Sequence, residues 1–187
     1  FGIVQGGRFE DLRIRSAEEL MTLDFPGYAI GGVSVGETEE EMLEQVKWGT
    51  AVLPQEKPRY VMGVGTPPQL LQMVGMGADM FDCVMPSRAA RHGMAFTSKG
   101  TLNLRNEKFK QDTSPLDETL DCYVSQEFTK SYIRHLIISK ESLAGVLLTL
   151  HNLRFFVNLM EDARSHILAD TFSEWSAAWI ENYLSGK

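Results

Sequence analysis

Four short apolar runs, each stopped by glycine or proline, constrain this chain more than any other feature. They are FGIVQGG (1–7), GYAIGGVSVGE (27–37), YVMGVGTPP (60–68) and MFDCVMPSR (80–88). The stretches between them read as helix. In EDLRIRSAEELMTL the spacing sets Leu12, Ser16, Leu20 and Leu23 on one face. Thr38 and Glu41 stand at capping-box spacing before MLEQVKWGTAVL, and Pro67 with Pro68 suits the first turn of a short helix, QLLQMV. Strand alternating with helix implies a parallel sheet with crossover helices. Near-continuous apolar strands imply cover on both faces. Periodicity does not choose between an open sheet and a barrel. In either, ligands bind at the carboxyl ends of the strands, where these glycines fall.

After residue 88 the pattern changes. HGMAFTSKGTLNLRN (92–106) reads as a β-hairpin turning at SKG. Residues 107–127 read as loop, followed by helices over 127–138, 141–165 and 171–184. The long helix carries Leu143, Val146, Leu147, Leu150, Leu153, Val157 and Met160 at helical spacing, and the last carries Phe172, Trp175, Trp179 and Tyr183. Both stripes are expected to face the core. The stretch 143–160 is apolar, but it contains His151, Arg154 and two asparagines. It therefore reads as a buried helix rather than a membrane span. No secretory leader opens the chain, and a cytoplasmic location is expected. The chain begins at Phe1, inside a strand, and is expected to be a fragment.

The net charge of −7, taken alone, argues against a nucleic-acid partner. The charge is uneven, however. Residues 86–111 hold Arg88, Arg91, Lys99, Arg105, Lys108 and Lys110 against Glu107 alone, while acids crowd ETEEEMLE (37–44). Such a basic segment suits phosphate contact, or is simply a solvated face. Asp82 ends the fourth run and is followed by the two arginines. A carboxylate there is a nucleophile, a base, or a cap on the next loop. Gln5 precedes Gly6 and Gly7, and its amide could read the edge of a base or bond local backbone. Gly31 through Ser34 offer backbone groups with Glu37 close by. GVG (63–65) is only a faint phosphate-loop pattern.

Taken together, FGIVQGG, YAIGGVSVGE, YVMGVG, FDCVMPSRAARHG and LHNLRFF closely resemble the carboxyl-terminal half of tRNA-guanine transglycosylases over nearly the whole chain. The resemblance implies an α/β fold: four parallel strands with helices, the C-terminal half of a (β/α)8 TIM barrel, plus a hairpin and helical zinc-type subdomain. The half barrel would span 1–88, the inserted subdomain 89–140 and the C-terminal helices 141–187. The implied reaction exchanges guanine at the tRNA wobble position for a queuine-type 7-deazaguanine base. Asp82 matches the nucleophile that forms a covalent link to the ribose. Gln5, Gly32 and Val33 match the groups that read the base edge. Met62 matches the residue that packs on the base, with Gly63 beside it, and Glu37 the acid that steadies the pocket backbone. Arg88 and Arg91 match contacts to the tRNA anticodon loop.

The sequence departs from the family pattern in two ways. The family's loop reads Cys-x-Cys-x-x-Cys, and a later histidine completes a zinc site. Here those positions are Leu120, Cys122, Ser125 and His151, so only Cys122 and His151 match. Asp121, Glu118 and His135 are nearby donors, but no spacing demands them. No cofactor is expected, with Leu120 acting as an apolar plug. The second departure is length: half a barrel should be inactive alone, and its open strand edges should drive homo-oligomer formation. A zinc-less, non-catalytic tRNA-binding or partner subunit is the alternative reading. An open nucleotide-binding sheet using GVGTPP lacks both a full GxGxxG and the expected following acid.

Overall fold

A computed structural model describes residues 1–186 and gathers them into two compact units, Phe1–Cys83 and Val84–Lys187. In the first unit, strands β1 (Gly2–Val4), β2 (Tyr28–Ile30), β3 (Arg59–Val61) and β4 (Met80–Phe81) alternate with helices α1 (Glu10–Met21), α2 (Glu39–Val52) and α3 (Pro67–Gly75). The strands are parallel and lie in the order β1-β2-β3-β4. Both predicted helix starts form. Thr38 and Glu41 make the reciprocal capping box, with Glu41 N donating to Thr38 Oγ1 at 3.2 Å and Thr38 N to Glu41 Oε2 at 2.8 Å. Thr66 caps α3 just ahead of Pro67 and Pro68.

The register divides the sheet's residues between two faces. Val4, Ile30 and Val61 are fully buried and form one core with Ala17, Met42, Val46 and Met73 from the helices. On the opposite face, Ile3, Ala29, Tyr60 and Met80 stand in register across all four strands. There Ala29 is buried, but Ile3 and Met80 are exposed and Tyr60 is half-buried. The face of α1 differs from the one expected. Leu12 is exposed, and Leu23 lies beyond the helix, also exposed. Arg13 and Ala17 are the fully buried residues of α1, because the helix turns a long cation inward to meet the loops above it.

The second unit holds α4 (Met85–Arg91), the antiparallel hairpin β5 (Met94–Thr97) and β6 (Gly100–Asn103), a short 3-10 turn at Glu107–Phe109, and helices α5 (Tyr123–Glu127), α6 (Lys130–Ile138), α7 (Ser142–Leu168) and α8 (Phe172–Ser185). The hairpin turns at Ser98 and Lys99, as its sequence predicts. Residues 85–91 continue the fourth apolar run as a helix, with Pro86 in the first turn. The expected core face of α7 requires correction. Leu147 is buried, but Leu143, Val146, Leu150, Leu153 and Val157 are exposed. The inward face is Ala144, Leu147, Leu148, His151, Asn152, Phe155, Phe156, Leu159 and Ala163. Two polar residues belong to this face because the hairpin and α4 satisfy them. Asn152 Oδ1 accepts from Phe96 N at 3.0 Å, and its Nδ2 donates to Pro86 O at 2.9 Å and Met94 O at 3.1 Å. On α8 only Tyr183 is buried, stacked on the half-buried Trp179.

Candidate active site

A cleft of about 360 Å³ opens at the carboxyl ends of the first unit's strands, lined by Ile3, Gln5, Gly31–Val35, Met62, Gly63 and Asp82. It brings together seven of the nine residues singled out from sequence, counting Glu37, which bonds to its wall. Asp82 follows directly after β4 and stands exposed at the rim. The Tyr60 hydroxyl donates to Asp82 Oδ1 at 2.5 Å, and Gly63 N donates to the same oxygen at 2.9 Å. Gly63 has φ +73°, which side-chain-bearing residues rarely adopt, and this turn delivers its N–H to the carboxylate. The tyrosine hydroxyl first, and then the Gly63 N–H, hold the Asp82 carboxyl below the usual aspartate range against the opposing effect of burial. Asp82 is therefore an anion at neutral pH, and it lines the cleft.

Sequence reasoning passed over Tyr60. The available signal is strand register: Tyr60, in the middle of β3, pairs with Met80, two residues before Asp82.

Gln5 lies against the second glycine loop. A Cβ on Gly31 would stand 2.6 Å from Gln5 Nε2, and one on Gly32 would stand 2.5 Å from Gln5 Oε1. Gly32 also has φ +65°, so the backbone favours glycine there, and a side chain would displace the Gln5 amide. Beneath the loops lies Arg13, the second residue missed. Its guanidinium is fully buried and donates to Gly7 O at 2.7 Å, Gly31 O at 3.1 Å, Gly32 O at 3.1 Å and Gln45 Oε1 at 2.5 Å. One rigid fork thus ties the glycine loops after β1 and β2 to α2. Burial lowers the Arg13 pKa, and the charge of Glu37 acts against that.

Glu37 closes the other side of the loop. Its Oε1 accepts from Ser34 N and its Oε2 from Val35 N at 2.8 Å. Ser34 is itself in the left-handed region at φ +61°. Partial burial pushes the Glu37 carboxyl up, but the backbone N–H groups of Glu37, Val35 and Ser34 together bring it below its ordinary value. The wall of the cleft is consequently backbone held in fixed orientation from below by a cation and from the side by an anion. Such a wall suits a flat, polar, hydrogen-bonding ligand, and Asp82 places an anionic carboxylate at its edge.

This geometry accords with the comparisons. The family model for queuine tRNA-ribosyltransferase matches residues 1–185. The chain belongs to that family. It is 50% identical over 183 residues to the queuine tRNA-ribosyltransferase of Bacillus subtilis, covering 98% of this chain and 48% of the relative. The corresponding proteins of Dictyoglomus turgidum and Symbiobacterium thermophilum are each 49% identical, covering 98% and 100% of this chain and 47% of each relative. The chain thus spans about half the length of these relatives.

The remaining two candidates, Arg88 and Arg91, lie exposed on α4 in the second unit. The positions corresponding to the family's implied zinc ligands also fall in that unit, and their chemistry fits an ion poorly. Leu120, Cys122, Ser125 and His151 are all buried. His151 Nε2 lies 2.8 Å from Phe96 O, which can only accept, so Nε2 carries the proton. Nδ1 then accepts from the Ser125 hydroxyl at 3.3 Å. Burial lowers the imidazole pKa and keeps it neutral. A thiol, a hydroxyl, an imidazole already hydrogen-bonded at both nitrogens and a leucine are not a tetrahedral zinc set. Among the described residues, no three His, Cys, Asp or Glu side chains are grouped to hold a metal.

Proposed function

We propose that this chain is the Asp82-bearing half of an enzyme that exchanges guanine at a tRNA wobble position for a 7-deazaguanine base. The observation carrying this reading is the anionic Asp82 oxygen, oriented by Tyr60 and Gly63, at the rim of a cleft walled by fixed glycine-loop backbone. In the reaction, an Asp82 oxygen bonds to ribose C1′ as the C1′–N9 bond breaks, and guanine leaves with a proton gained at N9. The incoming base loses its N9 proton and displaces Asp82, so two inversions give net retention. Gln5, Gly32 and Val33 read the base edge, Met62 covers its face beside Gly63, and Glu37 fixes the loop backbone. Arg88 and Arg91 contact phosphates of the anticodon loop, whose target base is presented unstacked.

The reading extends to architecture. The sequential order of four parallel strands, and the register-aligned row Ile3, Ala29, Tyr60 and Met80 on one face, are compatible with half of a (β/α)8 barrel whose interior layer awaits its other strands. Alone, the chain is inactive and self-associates, and its place of action is the cytoplasm. It binds no structural zinc. The Ser125–His151 hydrogen bond and the buried Leu120 hold the loop to α7 instead.

A chimera tests the reaction: residues 1–187 replace the matching half of the Bacillus subtilis relative. Labelled guanine should exchange into tRNA, and a denaturing gel should retain an RNA–protein adduct that Asp82→Ala abolishes. A folded chimera whose adduct persists in Asp82→Ala sinks the nucleophile assignment. Elemental analysis of the purified chain tests the metal, and one zinc per chain would overturn that part.

A further inference from the structure

Arg13 is a buried cation whose hydrogen-bond partners carry no charge. It is 0% exposed, and an arginine keeps its proton even when buried. Charged residues are seldom fully buried unless an opposite charge pairs with them. Here the acceptors are the carbonyls of Gly7, Gly31 and Gly32 and the amide oxygen of Gln45. Among the described residues, the acid whose charge reaches Arg13 is Glu37, and both Glu37 oxygens are engaged by Ser34 N and Val35 N. Gln45 is buried as well, and its Nε2 is fixed by donating to Glu41 O at 3.0 Å. A glutamate at this position would satisfy the guanidinium and cancel its charge. Glutamine satisfies it and leaves the charge intact.

Two of the carbonyls decide where that charge acts. The Gly31 carbonyl shares its peptide group with the Gly32 N–H, and the Gly32 carbonyl with the Val33 N–H. A cation bonded at the oxygen draws electron density toward it and makes the N–H at the other end a stronger donor. Among the described residues neither of these N–H groups has a backbone acceptor. Gly32 and Val33 both line the cleft. A Cβ on Gly32 would stand 2.5 Å from Gln5 Oε1 and 3.7 Å from Arg13 Nη2, so the guanidinium and the Gln5 amide flank one residue. Fixed donors backed by a buried charge stabilise negative charge that develops during a reaction.

We propose that Arg13 is a positioning residue of the base site: its uncancelled charge polarises the Gly31–Gly32 and Gly32–Val33 peptide groups, whose N–H groups hold the acceptor edge of the base as the base takes on negative charge. The inference rests on the proposed exchange reaction. As the C1′–N9 bond breaks, its electron pair passes to guanine and spreads into the ring and its carbonyl oxygen until N9 takes a proton. The incoming base carries the same charge once its N9 proton has left. Gln45 holds the guanidinium against the loops without neutralising it.

Loss of Arg13 would strand buried acceptors, so Gln45 is the position to vary. In the chimera with the Bacillus subtilis relative, Gln45→Glu keeps the size and the acceptor but cancels the cation. Its rate of adduct formation with tRNA should fall at least tenfold, while the KM for guanine rises less than threefold, because the charge belongs to the transition state more than to the bound base. Its melting temperature should hold or rise, since the guanidinium gains a paired acid. Gln45→Met keeps the size, loses the acceptor and leaves the cation; it should slow adduct formation threefold or less while lowering the melting temperature. Lys47→Gln makes the same change of charge on the exposed side of α2 and should leave the rate unaltered. A purely structural role predicts the reverse order, with Gln45→Met impaired and Gln45→Glu normal. That order, equal rates in both variants, or a lower melting temperature in Gln45→Glu would each overturn the proposal. An unaltered chimera that forms no adduct would overturn the reaction and this inference with it, whereas a normal rate in Gln45→Glu beside an active unaltered chimera overturns the inference alone.

Discussion

The two units use buried polar groups to opposite ends. In the first, Arg13 and Glu37 are bonded to loop backbone, and the loop so fixed faces an open cleft. Asp82 is bonded through one oxygen and remains exposed. In the second, Ser125 bonds to His151, and His151 and Asn152 bond to the hairpin inside the core. One arrangement fixes backbone around an open cleft; the other joins a loop and a hairpin to α7. The difference teaches that a buried polar residue becomes informative about function only when what it orients is known.

The comparison breaks most visibly at Asp82. Asp82→Ala in the chimera should lower base exchange about 10,000-fold or more, as loss of a covalent nucleophile does. Its melting temperature should barely move, because the side chain is at the rim. A large loss of stability would instead make Asp82 structural. Arg13 should behave in the reverse manner. Arg13→Ala strands several buried acceptors and should cost about 3 kcal/mol or more in urea unfolding. Arg13→Lys should recover little, since an ammonium cannot match the four-acceptor fork.

In the second unit the effects should be smaller and confined to stability. Ser125→Ala removes a single neutral donor to His151 Nδ1 and should cost about 1 kcal/mol. Leu120→Cys with Ser125→Cys sharpens the contrast further. It supplies two thiolates beside Cys122 and His151, and the double variant should acquire stoichiometric zinc by elemental analysis. An unaltered chain that already holds zinc would remove the distinction between the two units.

The strands and most helix positions were legible because apolar runs and turn residues are local signals. Thr38, Pro67 and the SKG turn each act within a few residues of themselves. The facing of α7 was not legible. Both its faces are apolar, and the stripe with the cleaner spacing is the exposed one, while the true inner face includes His151 and Asn152. Those two become core residues largely through acceptors and donors more than fifty positions away, on the hairpin and α4. Arg13 was hidden for the same reason: its partners Gly31, Gly32 and Gln45 lie on another strand and helix. Asp82, Gln5, Gly31–Ser34 and Glu37 were legible as strand-end residues on the ligand-binding face, while their separate roles came only through family likeness.

The smallest expected effect concerns the tuning of Asp82. Tyr60→Phe removes the donor that contributes most to lowering the Asp82 pKa, leaving the Gly63 N–H. With the Asp82 carboxylate as the proposed nucleophile, exchange in the chimera should fall as pH drops through the folded-state pKa of Asp82. In the unaltered protein that limb should lie below the ordinary aspartate value, and in Tyr60→Phe it should move upward. Stability follows the same sign. A depressed folded pKa adds stability that is fully present above the unfolded value and is lost as pH falls through the folded one. Tyr60→Phe should narrow that window while leaving exchange near pH 8 little changed. The pH profile of adduct formation in the chimera measures this directly. An acid limb that does not move would mean that Tyr60 positions the carboxylate without setting its charge, and the polar groups of the first unit would then act by geometry alone.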